Sequence, residues 1–308
     1  MAENHRKYPE EIAITLDDLI KWEYYAAQTG LLPKRPVHSI LSGGHASRLR
    51  GRGLDFEEVR NYVAGDDIRN IDWKVTARTK VTHTKVFNEE KERPSLVILD
   101  QTTQMFFGSE RFMKSVIAIQ IAALSAFRTL HSGDRVGSFT FTDDEILYFS
   151  PKRNRSYMRS VMETLVEKNQ ELVEKREVKP NLSQLNETLR QATNVAKHDY
   201  VMTIISDFNY ANEETINHLL HLSKSNDVIL VHIADKMDKA LPDGNILLTN
   251  GHEQIMWNNE KKGAQSKYQK EHEHFSNTII EEFRKYGIPT VQLNTAEDIA
   301  DQIRNVFQ

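Results

Sequence analysis

Leu96-Val97-Ile98-Leu99-Asp100-Gln101-Thr102-Thr103-Gln104 is the stretch on which the reading of this chain turns. Four consecutive aliphatic residues make a run of strand length that is apolar enough to be buried on both faces. The carboxylate of Asp100 and the hydroxyls of Thr102 and Thr103 then stand just past the strand's carboxyl end. In open α/β sheets that crevice is where ligands bind, and an Asp-x-Thr spacing offers hard oxygen ligands to a magnesium-like cation. Val201-Met202-Thr203-Ile204-Ile205 repeats the pattern and ends in Ser206-Asp207. For either motif alone the plain alternative is that Asp, Ser and Thr follow strands because they cap the next helix or shape the turn.

Outward from this stretch, strands and helices alternate from Pro94 onward, which argues for a parallel sheet covered by helices. The pattern predicts a helix opening at Ser109 or Glu110 and running through Leu130, with apolar residues over much of its circumference. A strand over Arg135–Phe141, a turn at Thr142-Asp143-Asp144, a strand over Glu145–Phe149 and a helix over Asn154–Lys168 follow. Next come a helix over Leu182–Ala196, the Val201 strand, a helix over Asn212–Ser223 and a strand over Asp227–Ile233. Asn250-Gly251, between Ile246-Leu247-Leu248 and Ile255-Met256-Trp257, is a type I′ hairpin signal that places a hairpin insertion near 245–258. A helix over Tyr268–Tyr286, a strand over Thr290–Leu293 and a helix over Ala296–Phe307 complete the alternation. Before Pro94, residues Ile14–Ala27 predict a helix, His38–Gly53 a basic, Gly-rich loop or edge, and Val81–Phe87 an edge strand. The expected division is 1–93, a helix with a β-rich module, and 94–308, the α/β domain.

Among the 308 residues, 39% are hydrophobic, enough for a substantial core, and none is cysteine, which rules out disulfides, thiol nucleophiles and thiolate metal sites. The net charge of -4 supplies no overall case for a nucleic-acid binder. The polar start and the absence of a span-length apolar run lead us to expect a cytoplasmic protein. No His-Glu-x-x-His, Gly-x-Ser-x-Gly or Walker A motif occurs. His218 with His221 and His272 with His274 lack a third ligand nearby in sequence and read as surface residues.

Gly51-Arg52-Gly53-Leu54-Asp55-Phe56, continuing through Arg60, Tyr62, Gly65-Asp66-Asp67, Arg69, Ile71-Asp72-Trp73 and Ala77-Arg78, closely resembles the signature of the bacterial domain-of-unknown-function family fifty-eight. The similarity extends from about His38 to the C-terminus. It implies a von Willebrand factor A-like fold, a doubly wound, mainly parallel sheet with a small N-terminal β-rich module. It also implies a partner, a MoxR-type AAA+ ATPase, and with it membrane-bound von Willebrand A-like proteins at the inner membrane. Domains of that kind hold a divalent cation with an Asp-x-Ser-x-Ser loop, a Thr from a second loop and an Asp from a third. Here the resemblance puts Asp100 and Thr102 in the first loop, with Gln104 where the second Ser would stand, Ser183 in the second loop and Asp207 in the third. Two carboxylates and one or two hydroxyls can hold a hydrated magnesium weakly, or the same residues can instead hydrogen-bond loop amides and shape an adhesion surface.

The expectation is therefore a non-enzymatic interaction protein, an adaptor or regulator of the ATPase, that grips partners through the loops of Asp100, Thr102, Ser183 and Asp207, with Gln104, Arg69, Trp73 and Arg78 also at the partner surface. Arg48, Arg50, Arg52, Arg69, Lys74 and Arg78 form a basic set that Asp55, Glu57, Glu58, Asp66, Asp67 and Asp72 can neutralise through pairs between the two domains. The enzymatic alternative is a magnesium-dependent phosphatase or phosphotransferase with Asp100 as nucleophile. It lacks the acid two residues later that would protonate the leaving group, since position 102 is Thr.

Overall fold

Alternate side chains of one strand, β3 (Ser95–Asp100), enter two different cores: Val97 and Leu99 on one face, Leu96 and Ile98 on the other. This two-sided burial is why the run reads as continuously apolar. The computed structural model describes residues 6–28, 54–89, 93–175, 180–239, 245–249, 254–258 and 281–307.

The larger unit carries a six-stranded sheet of order β10-β7-β6-β3-β4-β5, formed by β3, β4 (Val136–Phe141), β5 (Ile146–Lys152), β6 (Val201–Ser206), β7 (Asp227–Ala234) and β10 (Thr290–Asn294). All neighbours pair in parallel except β5, which runs antiparallel along β4. Chain order runs outward from β3 to β4 on one side and resumes at β6 on the other, so the strand order reverses between β3 and β6. In such sheets that reversal opens a crevice at the carboxyl ends of the two strands.

One core holds α1 (Leu16–Gln28), α3 (Lys114–His131), α4 (Arg155–Glu174) and α8 (Ile299–Phe307), through residues such as Leu19, Val116, Leu165 and Ile303. The other holds α5 (Gln184–Val195) and α6 (Glu213–Ser223), through Leu189 and Leu219, together with Phe283. α6 begins with a capping box in which the Asn212 side chain accepts from the Thr215 amide and the Thr215 hydroxyl accepts from the Asn212 amide.

Several boundaries differ from the sequence reading. α3 starts at Lys114 rather than Ser109 or Glu110, because the Ser109 amide and hydroxyl are both bound to Asp235 and the Phe112 amide to the Thr295 carbonyl. α4 continues six residues beyond Lys168. α1, grouped with the β-rich module from sequence, instead packs Leu19, Trp22 and Ala26 into the core of the larger unit. The hairpin forms from β8 (Asn245–Thr249) and β9 (Gln254–Asn258), and the register Thr249↔Gln254 leaves four residues between them. The Asn250-Gly251 turn, the His38–Gly53 loop and most of the Tyr268–Tyr286 helix lie outside the described residues, with 281–285 helical.

The smaller unit pairs β1 (Leu54–Asn61) with β2 (His83–Glu89) in antiparallel fashion, with a register shift between Phe56 and Glu58. Its helix α2 (Trp73–Thr79) is capped by Asp72, whose side chain accepts from the Lys74 and Val75 amides. The sequence reading missed β1 because its charged, weakly alternating residues carry little strand signal.

A polar chain crosses the first core. Asn169 on α4 accepts the Ile14 amide at 3.0 Å and donates to Gln101 Oε1 at 3.0 Å, while the Gln101 amide group donates to the Asp100 and Ser115 carbonyls. Both side chains are fully buried. Asn169→Ala leaves one donor and one acceptor unsatisfied, and urea denaturation of this variant should show a loss of about 2–4 kcal/mol.

Candidate functional site

Asp100 closes β3 with its side chain 5% exposed, and both carboxylate oxygens are occupied. Oδ1 accepts from the Thr102 amide at 3.0 Å and the Thr102 hydroxyl at 2.8 Å, and Oδ2 accepts from the Ser206 hydroxyl at 2.6 Å. Burial, and after it the nearby Asp207 charge, push the Asp100 carboxyl up to about 7 against the pull of these donors.

Asp207, beyond the end of β6, is 4% exposed. It accepts from the Asn209 amide and Asn209 Nδ2, and its Oδ2 meets Lys114 Nζ at 3.2 Å. Lys114, the first residue of α3, is 1% exposed and also contacts both oxygens of Asp238, at 2.9 and 2.8 Å, in α7 (Lys236–Lys239). Burial alone lowers the affinity of such an ammonium for its proton, but Asp207 and Asp238 outweigh it and hold Lys114 above its ordinary value. The following residue, Phe208, adopts a left-handed backbone, φ +54°, and is buried against Phe283. A bulky residue in that region is a strained conformation that its surroundings must enforce.

Two further carboxylates belong to the same rim. Asp143, read from sequence only as part of a turn, follows β4 and accepts the Thr103 amide at 2.9 Å, tying the first loop to the next strand. Asp235 follows β7 and accepts from the Ser109 amide, the Thr295 hydroxyl and the Met237 amide. Burial pushes Asp235 up, yet these donors hold it below the usual carboxylate value. The strand ahead of Asp235 carried the same signal as those ahead of Asp100 and Asp207, and the sequence reading passed over it.

Asp100, Thr102, Gln104, Asp143, Asn181, Ser206, Asp207 and Tyr210 line one pocket of about 20 Å³. That is room for roughly one water-sized particle and far below the volume of a small-molecule site. Ser183 is not among the lining residues. It is exposed, and its hydroxyl donates to Asn181 Oδ1 at 2.8 Å, so Asn181 rather than Ser183 represents the second loop at the pocket.

The family whose description is "Protein of unknown function DUF58" matches residues 58–277. This chain belongs to the DUF58 family. The match takes in the smaller unit from the middle of β1 and, in the larger one, the loops of Asp100, Asp143, Asn181, Asp207 and Asp235. The DUF58 chain is 25% identical over 219 residues to the uncharacterized protein Mb1516 of Mycobacterium bovis and to the uncharacterized protein Rv1480 of Mycobacterium tuberculosis, spanning 71% of this chain and 67% of each relative. Among solved structures it is similar to a conserved hypothetical protein BatB from Bacteroides thetaiotaomicron, at 13% identity and a TM-score of 0.41, covering 70% of this chain and 96% of that one. An aerotolerance-related membrane protein from Bacteroides fragilis aligns at 13% identity and a TM-score of 0.38 over the same shares.

In the DUF58 signature, the acidic residues hold the smaller unit together. Asp66 pairs with Arg60, Asp67 caps and pairs with Arg69, and Asp72 caps α2 and lies 3.6 Å from Lys85. These pairs run within the smaller unit. Trp73 is 69% exposed, and Ile68, Lys74 and Arg78 are exposed as well. Arg48, Arg50, Arg52, His272 and His274 lie outside the described residues, and His218 sits 3.6 Å from Glu214 on α6.

The donor set is thin for a resident divalent cation: Ser183 is turned to Asn181, which leaves Asp100, Thr102 and Asp207 of the expected ligands at the pocket, and Asp207 already faces the Lys114 ammonium. Among the described residues no group of three or more His, Asp or Glu is placed to hold a metal ion.

The raised Asp100 value has a stability consequence of definite sign. The folded state binds this proton more tightly than the unfolded chain, whose carboxyl titrates near 3.8, so the stabilisation is complete below that pH and is lost as pH rises toward about 7. Asp100→Asn removes the titration. Denaturation from pH 4 to 8 should show wild type losing stability relative to this variant by up to about 4 kcal/mol, and a pH-independent difference would contradict the assignment.

Proposed function

We propose that this DUF58 protein is a non-enzymatic, von Willebrand factor A-like interaction module that serves as an adaptor or regulator of a MoxR-type AAA+ ATPase. Its binding face is the rim formed by the loops after β3, β4 and β6. The observation that carries this reading is the rim itself: buried carboxylates from adjacent strands are spent on ordering loop backbone, and the pocket between Asp100 and Asp207 has a volume of only about 20 Å³. Around it Leu182, Tyr210 and Phe107 are exposed, which gives a shaped surface with apolar and aromatic anchors of the kind protein interfaces use. The strained backbone at Phe208 supports the same reading, since strain is retained where the surroundings hold a loop in one functional shape.

The rim recognises its partner by hydrogen bonds and apolar contact rather than through a bound magnesium. Gln104 at the pocket adds to the rim surface, and Arg69, Trp73 and Arg78 are separate partner contacts on the smaller unit. Membrane-bound von Willebrand A-like proteins are a second partner class, and the chain would then work from the cytoplasm at the inner membrane. Among the described residues no helix is long and apolar enough to cross a membrane. The phosphatase alternative needs a carboxylate oxygen of Asp100 directed at a phosphorus atom, and both oxygens are committed to Thr102 and Ser206.

Capture on an immobilised cognate ATPase tests the proposal. Wild type should be retained, the Leu182→Asp and Tyr210→Ala double variant should lose about tenfold or more in affinity, and Trp73→Ala and Arg78→Ala should each weaken capture. Equal capture of all four proteins would remove the rim and the smaller unit from recognition.

A further inference from the structure

We infer that Lys114 is a built-in cation: its ammonium takes the role that a divalent ion plays between strand-end carboxylates, so the rim assembles without metal, and removing this side chain creates a divalent-cation site in its place.

The geometry is that of a coordinated ion. Nζ lies 3.2 Å from Asp207 Oδ2 and 2.9 and 2.8 Å from the two oxygens of Asp238. The Phe107 ring, 5.6 Å from Nζ, covers it. Lys114 is among the largest fully buried side chains of the described residues, although lysine is almost never fully buried without partners. Here the partners are three oxygens from two segments that are far apart in sequence, one after β6 and one after β7, and the lysine itself comes from the helix after β3. One charge therefore joins the loops of three adjacent strands, as a metal ion would. Asp238 also accepts the Asp235 amide at 2.7 Å, so the position of the third loop depends on the same carboxylate.

Covalent attachment makes this charge permanent. An ammonium whose three donors meet three carboxylate oxygens has no vacant coordination position at which to take a ligand from a partner. The buried Asp207 and the half-buried Asp238 would lose the cation between them once the lysine is gone. The space vacated between them, lined by hard oxygens, has the chemistry that hydrated magnesium or manganese takes. The inference concerns how the rim is held and does not depend on which partner it binds.

Thermal unfolding of the full chain is measured in EDTA and in millimolar MgCl2 or MnCl2 at matched ionic strength, together with manganese binding followed by the electron paramagnetic resonance signal of the free ion. Wild type should show no stoichiometric manganese binding and the same midpoint in all conditions. Lys114→Ala should unfold at lower temperature in EDTA and recover by about 5 °C or more with saturating manganese, binding close to one ion per chain. Adding Asp207→Asn to Lys114→Ala should abolish both responses. Stoichiometric binding to wild type would overturn the inference even if the variant fails to fold. A folded Lys114→Ala chain that ignores both cations would overturn it as well.

Discussion

Burying carboxylates at the carboxyl ends of neighbouring strands is the constraint around which the larger unit is organised. Asp100 and Asp207 flank the point where strand order reverses, each is nearly inaccessible to water, and Asp235 and Asp143 extend the row along the sheet. Charges in such a place must be neutralised, hydrogen-bonded or protonated. The molecule uses a different solution for each: a raised proton affinity and hydroxyl donors for Asp100, a buried lysine for Asp207, and a set of amide and hydroxyl donors for Asp235. Loop positions follow from these solutions, because the donors include the backbone amides of Thr102, Thr103, Ser109, Asn209 and Met237 in the loops themselves.

The oxygens of Asp100 and Asp207 accept hydrogen bonds from Thr102, Ser206 and Asn209 or face Lys114, so this row of acids orders the loops that carry it. On the exterior of those loops Leu182 and Tyr210 are accessible to another molecule. Membership of the DUF58 family and the mainly parallel sheet are thus compatible with recognition by shape and apolar contact.

The sheet was legible because its central strands are buried on both faces and therefore appear as short runs of Leu, Ile and Val that end in Asp. The same logic located Asp100 and Asp207 and the hydroxyls of Thr102 and Ser206. Lys114 was not legible. Its partners lie 93 and 124 positions away, and a single lysine at the head of an apolar helix looks like an ordinary polar terminus until the fold places two carboxylates over it. Ser183 lies off the pocket for a related reason: the spacing to Leu189 matched, but a local turn directs its hydroxyl to Asn181. The small unit's β1 was hidden by its charges, whereas the Asp residues of the signature, visible from the start, act as helix caps and ion-pair partners.

Gln101 has a consequence of its own. Its neighbour Asp100 faces the crevice, while Gln101 turns inward to the Asn169 amide that in turn receives the Ile14 backbone. Two successive residues thus couple opposite sides of the sheet, and seating of the N-terminal segment is mechanically continuous with the first rim loop. Peeling that segment away would leave the Asn169 carbonyl without its Ile14 donor, so the hydrogen-bond chain that ends beside Asp100 is anchored at Ile14.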